Sequence, residues 1–273
     1  MVRDDILSVT GLRVVTRDGD PLVHDVSLAV ERGGALGIVG ESGSGKSLTC
    51  RSILGILPPG LRVDAGTVTF DGIDLTGLDY RSWQGLRGNR ISAVFQDPAS
   101  YLNPSITVGK QLSEVLRVKT GLSRRAAHAR SLELFEQMGL REPAHVYRQY
   151  PFELSGGMLQ RVLIAIALSA DPELLIADEA TTALDVTVQA EVLDLLEDLR
   201  RDRGLTLILV SHDLAVVSQI CDHVVVMRDG VVVESGTADD VLKRPQHEYT
   251  RSLIEHHTAY GIEKFLAEEV LDV

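Results

Sequence analysis

The chain has 273 residues, 44% of them hydrophobic, 24% charged and 4% aromatic, with a formal net charge of −12. That length supports one large or two small domains with a buried core, and the composition excludes a disordered or fibrous chain. The acidic balance argues against broad nucleic-acid binding, which needs a basic footprint, and a cysteine content of only Cys50 and Cys221 points to a reducing compartment rather than a disulfide scaffold.

In chain order, Leu22, His24, Val26, Leu28 and Val30 occupy alternate positions and predict a strand with one buried face. Gly33-Gly34 turns the chain into a short apolar strand, Ala35 to Val39, followed by a glycine-rich loop. Leu48 to Leu57 then predicts a helix stopped by Pro58-Pro59-Gly60, and Thr67 to Phe70 and Ile91 to Phe95 predict further strands. Thr107 to Leu116 and Ser123 to Met138 carry helical spacing, with Leu132, Phe135 and Met138 on one face. No strand is expected between Val108 and Ser169, so this stretch reads as an inserted helical subdomain. Alternation then resumes: strand Leu174 to Ala177, helix Val188 to Leu199, strand Leu205 to Val210. Val224 to Met227 and Val231 to Glu234 flank Arg228-Asp229-Gly230 as a hairpin. Thr237 to Val273 reads as a polar, mostly helical tail. Met1 is not followed by an apolar signal core, and the longest apolar run, Val162 to Leu168, is too short to span a bilayer. A soluble chain is expected, one that reaches a membrane only by docking on a spanning partner.

Gly40-Glu41-Ser42-Gly43-Ser44-Gly45-Lys46-Ser47 fits the spacing G-x-x-x-x-G-K-[ST] between an apolar strand and a helix. Glycines let successive amides curl toward one anion, and the helix N-terminus adds its dipole. Lys46 is placed to reach the β- and γ-phosphates of a nucleotide, and the Ser47 hydroxyl to hold Mg2+. A glycine-rich turn with an incidental lysine would not require strand, loop and helix in this order. Leu174 to Ala177 ends in Asp178-Glu179. Beside a phosphate loop, Asp178 suits Mg2+ and Glu179 suits a general base for the attacking water; alone, such a pair is as well explained by a solvated strand end.

A third motif, Leu154-Ser155-Gly156-Gly157-Met158-Leu159-Gln160-Arg161, opens a helix upstream of the acidic strand. In this order the motifs resemble those of the ATP-binding-cassette ATPases. Gln96 then resembles the glutamine-loop residue, Ala183-Leu184-Asp185 the dimer-contact loop, and His212 in Ser211-His212-Asp213 the switch histidine. The resemblance covers about residues 6–235. It implies an α/β P-loop NTPase core with an N-terminal antiparallel β subdomain and an inserted α-helical subdomain. The expectation is one nucleotide-binding domain over residues 1–273, with the insert at about 97–170 and the tail at 236–273. It implies ATP and Mg2+ bound by Gly40, Ser42, Gly43, Ser44, Gly45, Lys46, Ser47, Gln96 and Asp178, the metal held by Ser47, Gln96 and Asp178. Catalysis would rest on Glu179, with His212 and Gln96 sensing the γ-phosphate. Ser155, Gly156 and Gly157 would serve the ATP of a partner cassette packed head to tail, with Asp185 in the dimer loop.

Phe95 to Pro104 and Thr181 to Ala190 resemble the peptide, opine and nickel importer branch, and Pro21-Leu22-Val23-His24, Gly55-Ile56-Leu57-Pro58, Tyr150-Pro151-Phe152-Glu153 and Thr250-Arg251-Ser252-Leu253 are most like its nickel-import ATPases. The implied assembly is a second ATPase subunit (a heterodimer, or a homodimer), two membrane permeases and an extracytoplasmic solute-binding protein, without nucleic acid, at the cytoplasmic face of the cell membrane. The solute would be nickel, a metal chelate or a small peptide; an oligopeptide or dipeptide importer is the nearest alternative. A soluble cassette ATPase of DNA repair or translation, a non-catalytic cassette and a small-molecule kinase are rivals that explain fewer motifs. Two positions depart from the family. No aromatic precedes Phe70, so Val15 or Thr16 stands where an adenine-stacking ring is usual, and Ala180 follows Glu179 where proline is common. His247, His256 and His257 are of a type that suits a metal, but they read as a solvated tail helix rather than a metal site, and Cys50 and Cys221 read as small core residues.

Overall fold

The computed structural model describes residues 4–180 and 186–257. The described residues form two compact units, one running to Leu78 and resuming at Thr206, the other spanning Asp79–Leu205.

The first unit begins with β1 (Asp5–Thr16) and β2 (Pro21–Glu31), then β3 (Ala35–Val39), α1 (Lys46–Ile53), β4 (Leu61–Phe70) and β5 (Ile73–Asp74). β2, β1, β4 and β5 make an antiparallel sheet in that order. The alternation expected of β2 changes phase within it. Leu12 pairs with Val26 and Val14 with Val23, so β2 carries an extra residue, and Asp25 has φ 51. That β-bulge puts Val23 in the core and leaves Leu22 38% exposed, the reverse of the expected face for Leu22 and His24. α1 starts and stops earlier than Leu48 to Leu57. Gly55 has φ 62 and the Ile56 amide donates to the Arg51 carbonyl, so the helix ends on a glycine cap before the prolines are reached.

The second unit contains α2 (Tyr80–Leu86), β6 (Ile91–Val94), α3 (Pro98–Tyr101), α4 (Val108–Thr120), α5 (Arg124–Gln137), α6 (Pro143–Val146), α7 (Gly156–Ala167), β7 (Leu174–Asp178) and α8 (Val186–Arg203). No strand lies between Val108 and Ser169, as expected. α4 buries Val108, Leu112 and Leu116, one residue per turn, and stops at Gly121 in the left-handed region. α5 opens on the Ser123 hydroxyl, which accepts from the Ala126 amide, and buries Ala127, Ser131, Leu134 and Phe135. Leu132, expected on that stripe, is only half-buried, while Met138 is fully buried beyond the helix end. β6 and β7 pair in parallel, and every residue of β7 is buried.

The chain returns to the first unit with β8 (Thr206–Ser211), α9 (Leu214–Ile220), β9 (His223–Arg228), β10 (Val231–Thr237), α10 (Ala238–Lys243) and α11 (Glu248–His257). β3 lies between β8 and β9 and pairs with both in parallel. All of β3 and β8 is buried, which explains their unbroken apolar runs. β9 and β10 close in the hairpin expected there, but through the two residues Asp229 and Gly230, both at positive φ, because Arg228 pairs with Val231 and belongs to the strand. Cys50 and Cys221 are free and buried, small core residues as read. Among the described residues no helix is long and apolar enough to cross a membrane.

Candidate functional site: a phosphate loop and two sets of strand ends

The loop after β3 has its glycines in the left-handed region: φ 148 at Gly40, 85 at Gly43 and 100 at Gly45. At Gly40 a Cβ would lie 2.1 Å from the Met227 carbonyl oxygen, so no side chain fits where the loop leaves the sheet. At Gly43 nothing lies within 4 Å, which leaves the loop's rim open. Lys46 is 4% exposed, and its Nζ donates to the Gly40 oxygen at 2.7 Å, the Glu41 oxygen at 2.8 Å and Ser44 Oγ at 3.5 Å. The ammonium is thus held inside the curl of its own loop. Ser42 sits on the exposed rim, and Gly45 starts α1 with Lys46 and Ser47 in its first turn. Such a curl, closed by a buried cation and opening onto a helix N-terminus, suits a polyphosphate.

Val39 pairs with Ser211, so Gly40 and His212 leave the same edge of adjacent parallel strands. His212 is exposed there, and the Asp213 amide donates to Ser211 Oγ at 2.9 Å. Two further contacts hold the loop from outside. The Gly230 amide of the β9–β10 turn donates to the Ser44 carbonyl at 3.1 Å, and the Glu41 amide donates to the Tyr249 hydroxyl at 3.0 Å. Tyr249 belongs to α11 and is buried, and burial raises its phenol above the ordinary value. Sequence reading missed it, because the tail stood out for its histidines and its likeness at Thr250 to Leu253, neither of which points to a tyrosine contact with the loop.

In the second unit, Val94 pairs with Ala177, so Gln96 and the Asp178-Glu179 pair leave the same edge of β6 and β7. Gln96 is exposed; Asp178 is 4% exposed. Glu179 has φ 51, a conformation that costs a non-glycine residue about 1–3 kcal/mol. Ser155 caps α7, its hydroxyl accepting from the Met158 amide at 3.3 Å, and Ser155 and Gly156 are exposed. A Cβ on Gly157 would lie 2.4 Å from Val188 Cγ1, so α7 meets α8 through this glycine. Arg161 reinforces the contact, donating to Glu191 at 2.5 Å and to the Met138 carbonyl at 2.7 Å. Asp185 lies outside the described residues.

The hydroxyl of Ser47, the amide oxygen of Gln96 and the carboxylate of Asp178 are hard oxygen donors of the kind Mg2+ takes. Near the expected adenine position, Val15 is 1% exposed, while Thr16 closes a turn by accepting from the Gly19 and Asp20 amides, so neither offers a ring. His247 is committed locally: its Nδ1 accepts from the Tyr249 amide at 3.1 Å.

Residues 23–182 match the family described as ABC transporter. The chain belongs to the ABC transporter family. It is 46% identical over 253 residues to the peptidoglycan transport ATP-binding protein YejF of Agrobacterium fabrum, covering 91% of this chain and 46% of that one. The chain therefore spans less than half the length of that relative. It is 45% identical over 245 residues to the probable D,D-dipeptide transport ATP-binding protein DdpD of Escherichia coli, covering 89% of this chain and 75% of the relative. It is 44% identical over 255 residues to the dipeptide transport ATP-binding protein DppD of Bacillus subtilis, covering 92% and 76%. Among solved structures, the dimeric post-hydrolysis state of the ATP-binding cassette MJ0796 with ADP and Pi matches with TM-score 0.76 and 28% identity, over 85% of this chain and 98% of that one. The cbiO1 protein of Clostridium perfringens, part of an ABC transporter complex, matches with TM-score 0.78 and 25% identity, over 99% and 100%. The protein is thus an ABC ATPase with the expected α/β core, antiparallel β subdomain and helical insertion.

Proposed function

We propose that this ABC ATPase is the ATP-binding subunit of an importer for small peptides. The observation that carries the reading is the phosphate loop with Lys46 buried in its curl; the peptide class is supported by the names of the relatives. Import of nickel or a metal chelate rests on short sequence stretches alone and is the less supported solute. Lys46 and the amides of residues 40–47 bind the ATP phosphates, and Ser47, Gln96 and Asp178 hold Mg2+, which when bound neutralises phosphate charge. Glu179 accepts the proton of the attacking water, and His212 and Gln96 sense the γ-phosphate. Exposed Ser155 and the amides of Gly156 and Gly157 serve the ATP of a second cassette, with Asp185 contributing to the dimer contact. Residues 1–273 act as one nucleotide-binding domain. The partner is a second ATPase subunit or another copy, docked with two permeases on the cytoplasmic face of the membrane and fed by a solute-binding protein.

Glu179→Gln keeps the shape of the side chain and removes its basicity. In the assembled transporter it is expected to bind ATP normally and to lose hydrolysis by about a hundredfold or more, the range of a general base. Unchanged turnover would overturn the assignment. Stimulation of hydrolysis by the binding protein loaded with a dipeptide, but not with a nickel chelate, identifies the solute class.

A further inference from the structure

We infer that Tyr249 is a positioning residue of the phosphate loop, by which α11 sets the affinity for nucleotide. The inference rests on the ATP-binding reading above and adds a residue that reading does not use. The peptide joining Gly40 to Glu41 is held at both edges. Its carbonyl oxygen accepts from Lys46 Nζ at 2.7 Å, and its N–H donates to the Tyr249 hydroxyl at 3.0 Å. A peptide unit is planar, with N–H and C=O pointing in opposite directions. One plane is therefore gripped between the lysine and the tyrosine.

The grip comes from a rigid source. Tyr249 is 6% exposed, and the Arg228 guanidinium lies 4.9 Å from the centre of its ring. The start of α11 is fastened to β10, because Glu234 accepts from the Gln246 amide at 2.7 Å and the His247 amide at 3.1 Å. Arg251 donates to the Pro245 and Gln246 carbonyls, closing the segment on itself. The hydroxyl thus presents a fixed acceptor to a loop whose glycines would otherwise leave it free to turn. A loop ordered before the phosphate arrives loses less conformational freedom on binding, so affinity rises without any new contact to the nucleotide.

Tyr249→Phe removes only the acceptor. In the full chain it is expected to weaken ATP binding by about three- to tenfold, the worth of one neutral hydrogen bond, with the thermal midpoint nearly unchanged. Fluorescent-ATP titration of wild type, Tyr249→Phe and Lys46→Ala reads this, and amide exchange at Glu41 reads the peptide directly. Faster exchange at Glu41, with β3 still protected, accompanies the weaker binding. Unaltered affinity, or a fall in thermal midpoint with unaltered affinity, would overturn the inference by making Tyr249 a packing residue. A wild type that binds no ATP, or Lys46→Ala binding as well as wild type, would instead sink the nucleotide reading, and Glu41 exchange would still decide the anchor.

Discussion

Lys46 illustrates how local chemistry makes a residue readable. A buried ammonium is tolerated only when its donors are filled, and here the loop's own oxygens fill them. Lys46→Met removes the charge while keeping most of the stem, so ATP affinity in fluorescent-ATP titration should fall about a hundredfold, within the worth of a single charge-assisted hydrogen bond. The lysine and its loop are contiguous in the chain, so spacing alone exposed them. Tyr249 sits 208 residues from Glu41, and a phenol in a helical tail carries no local mark of the partner it meets. Gly157 lies between these cases: the motif was legible, the reason for a glycine was not. With Val188 Cγ1 only 2.4 Å from a Cβ at that position, Gly157→Ala should destabilise the protein by about 1–3 kcal/mol through overpacking. Adding Val188→Ala should recover a good part of the loss, and thermal unfolding of the four proteins in the cycle measures the coupling.

At the scale of elements, α11 is fastened through one carboxylate. Burial pulls the Glu234 carboxyl upward, but the Gln246 amide, the Thr250 side chain, and the His247 amide and charge together outweigh it and leave the group below its ordinary range. A group whose folded value is depressed contributes stability above its unfolded value and loses it as pH falls through the folded one. α11 should therefore loosen on acidification below the ordinary carboxylate range, and Glu234→Gln should flatten that acid limb in helix-resolved amide exchange. An equal loss of protection in both proteins would assign the limb to other carboxylates. Neither the anchor nor the phase change in β2 was legible in the sequence. Alternation in Leu22 to Val30 suggests an unbroken strand, and only pairing with β1 reveals the extra residue at Asp25. The fully buried strands were legible, because parallel strands covered on both faces need unbroken apolar runs. Helix ends shifted where glycine caps, as at Gly55, preceded the prolines that suggested the stop.

The whole molecule returns to its charge. The sequence used −12 only to argue against nucleic acid, yet a cassette proposed to pair with another copy or a relative must bring that charge close to a second protein. Two identical copies repel at long range, and ATP phosphates add further negative charge, while the contacts proposed at Ser155, Gly156 and Gly157 are short-range hydrogen bonds. Raising ionic strength from about 0.01 M to about 1 M shortens the screening length from about 30 Å to about 3 Å, which removes the repulsion and leaves the contacts. Screening also weakens the attraction of Lys46 for phosphate, so ATP must be kept saturating throughout. Under that condition Glu179→Gln, which should accumulate with ATP bound, is expected to self-associate more tightly as salt rises, by about tenfold over that range if the net charge dominates. Sedimentation equilibrium across the salt series measures it. Weaker association at high salt would mean that oppositely charged patches on the paired faces outweigh the net charge. Absence of self-association at every salt, with ATP bound, would favour a different ATPase subunit as the partner.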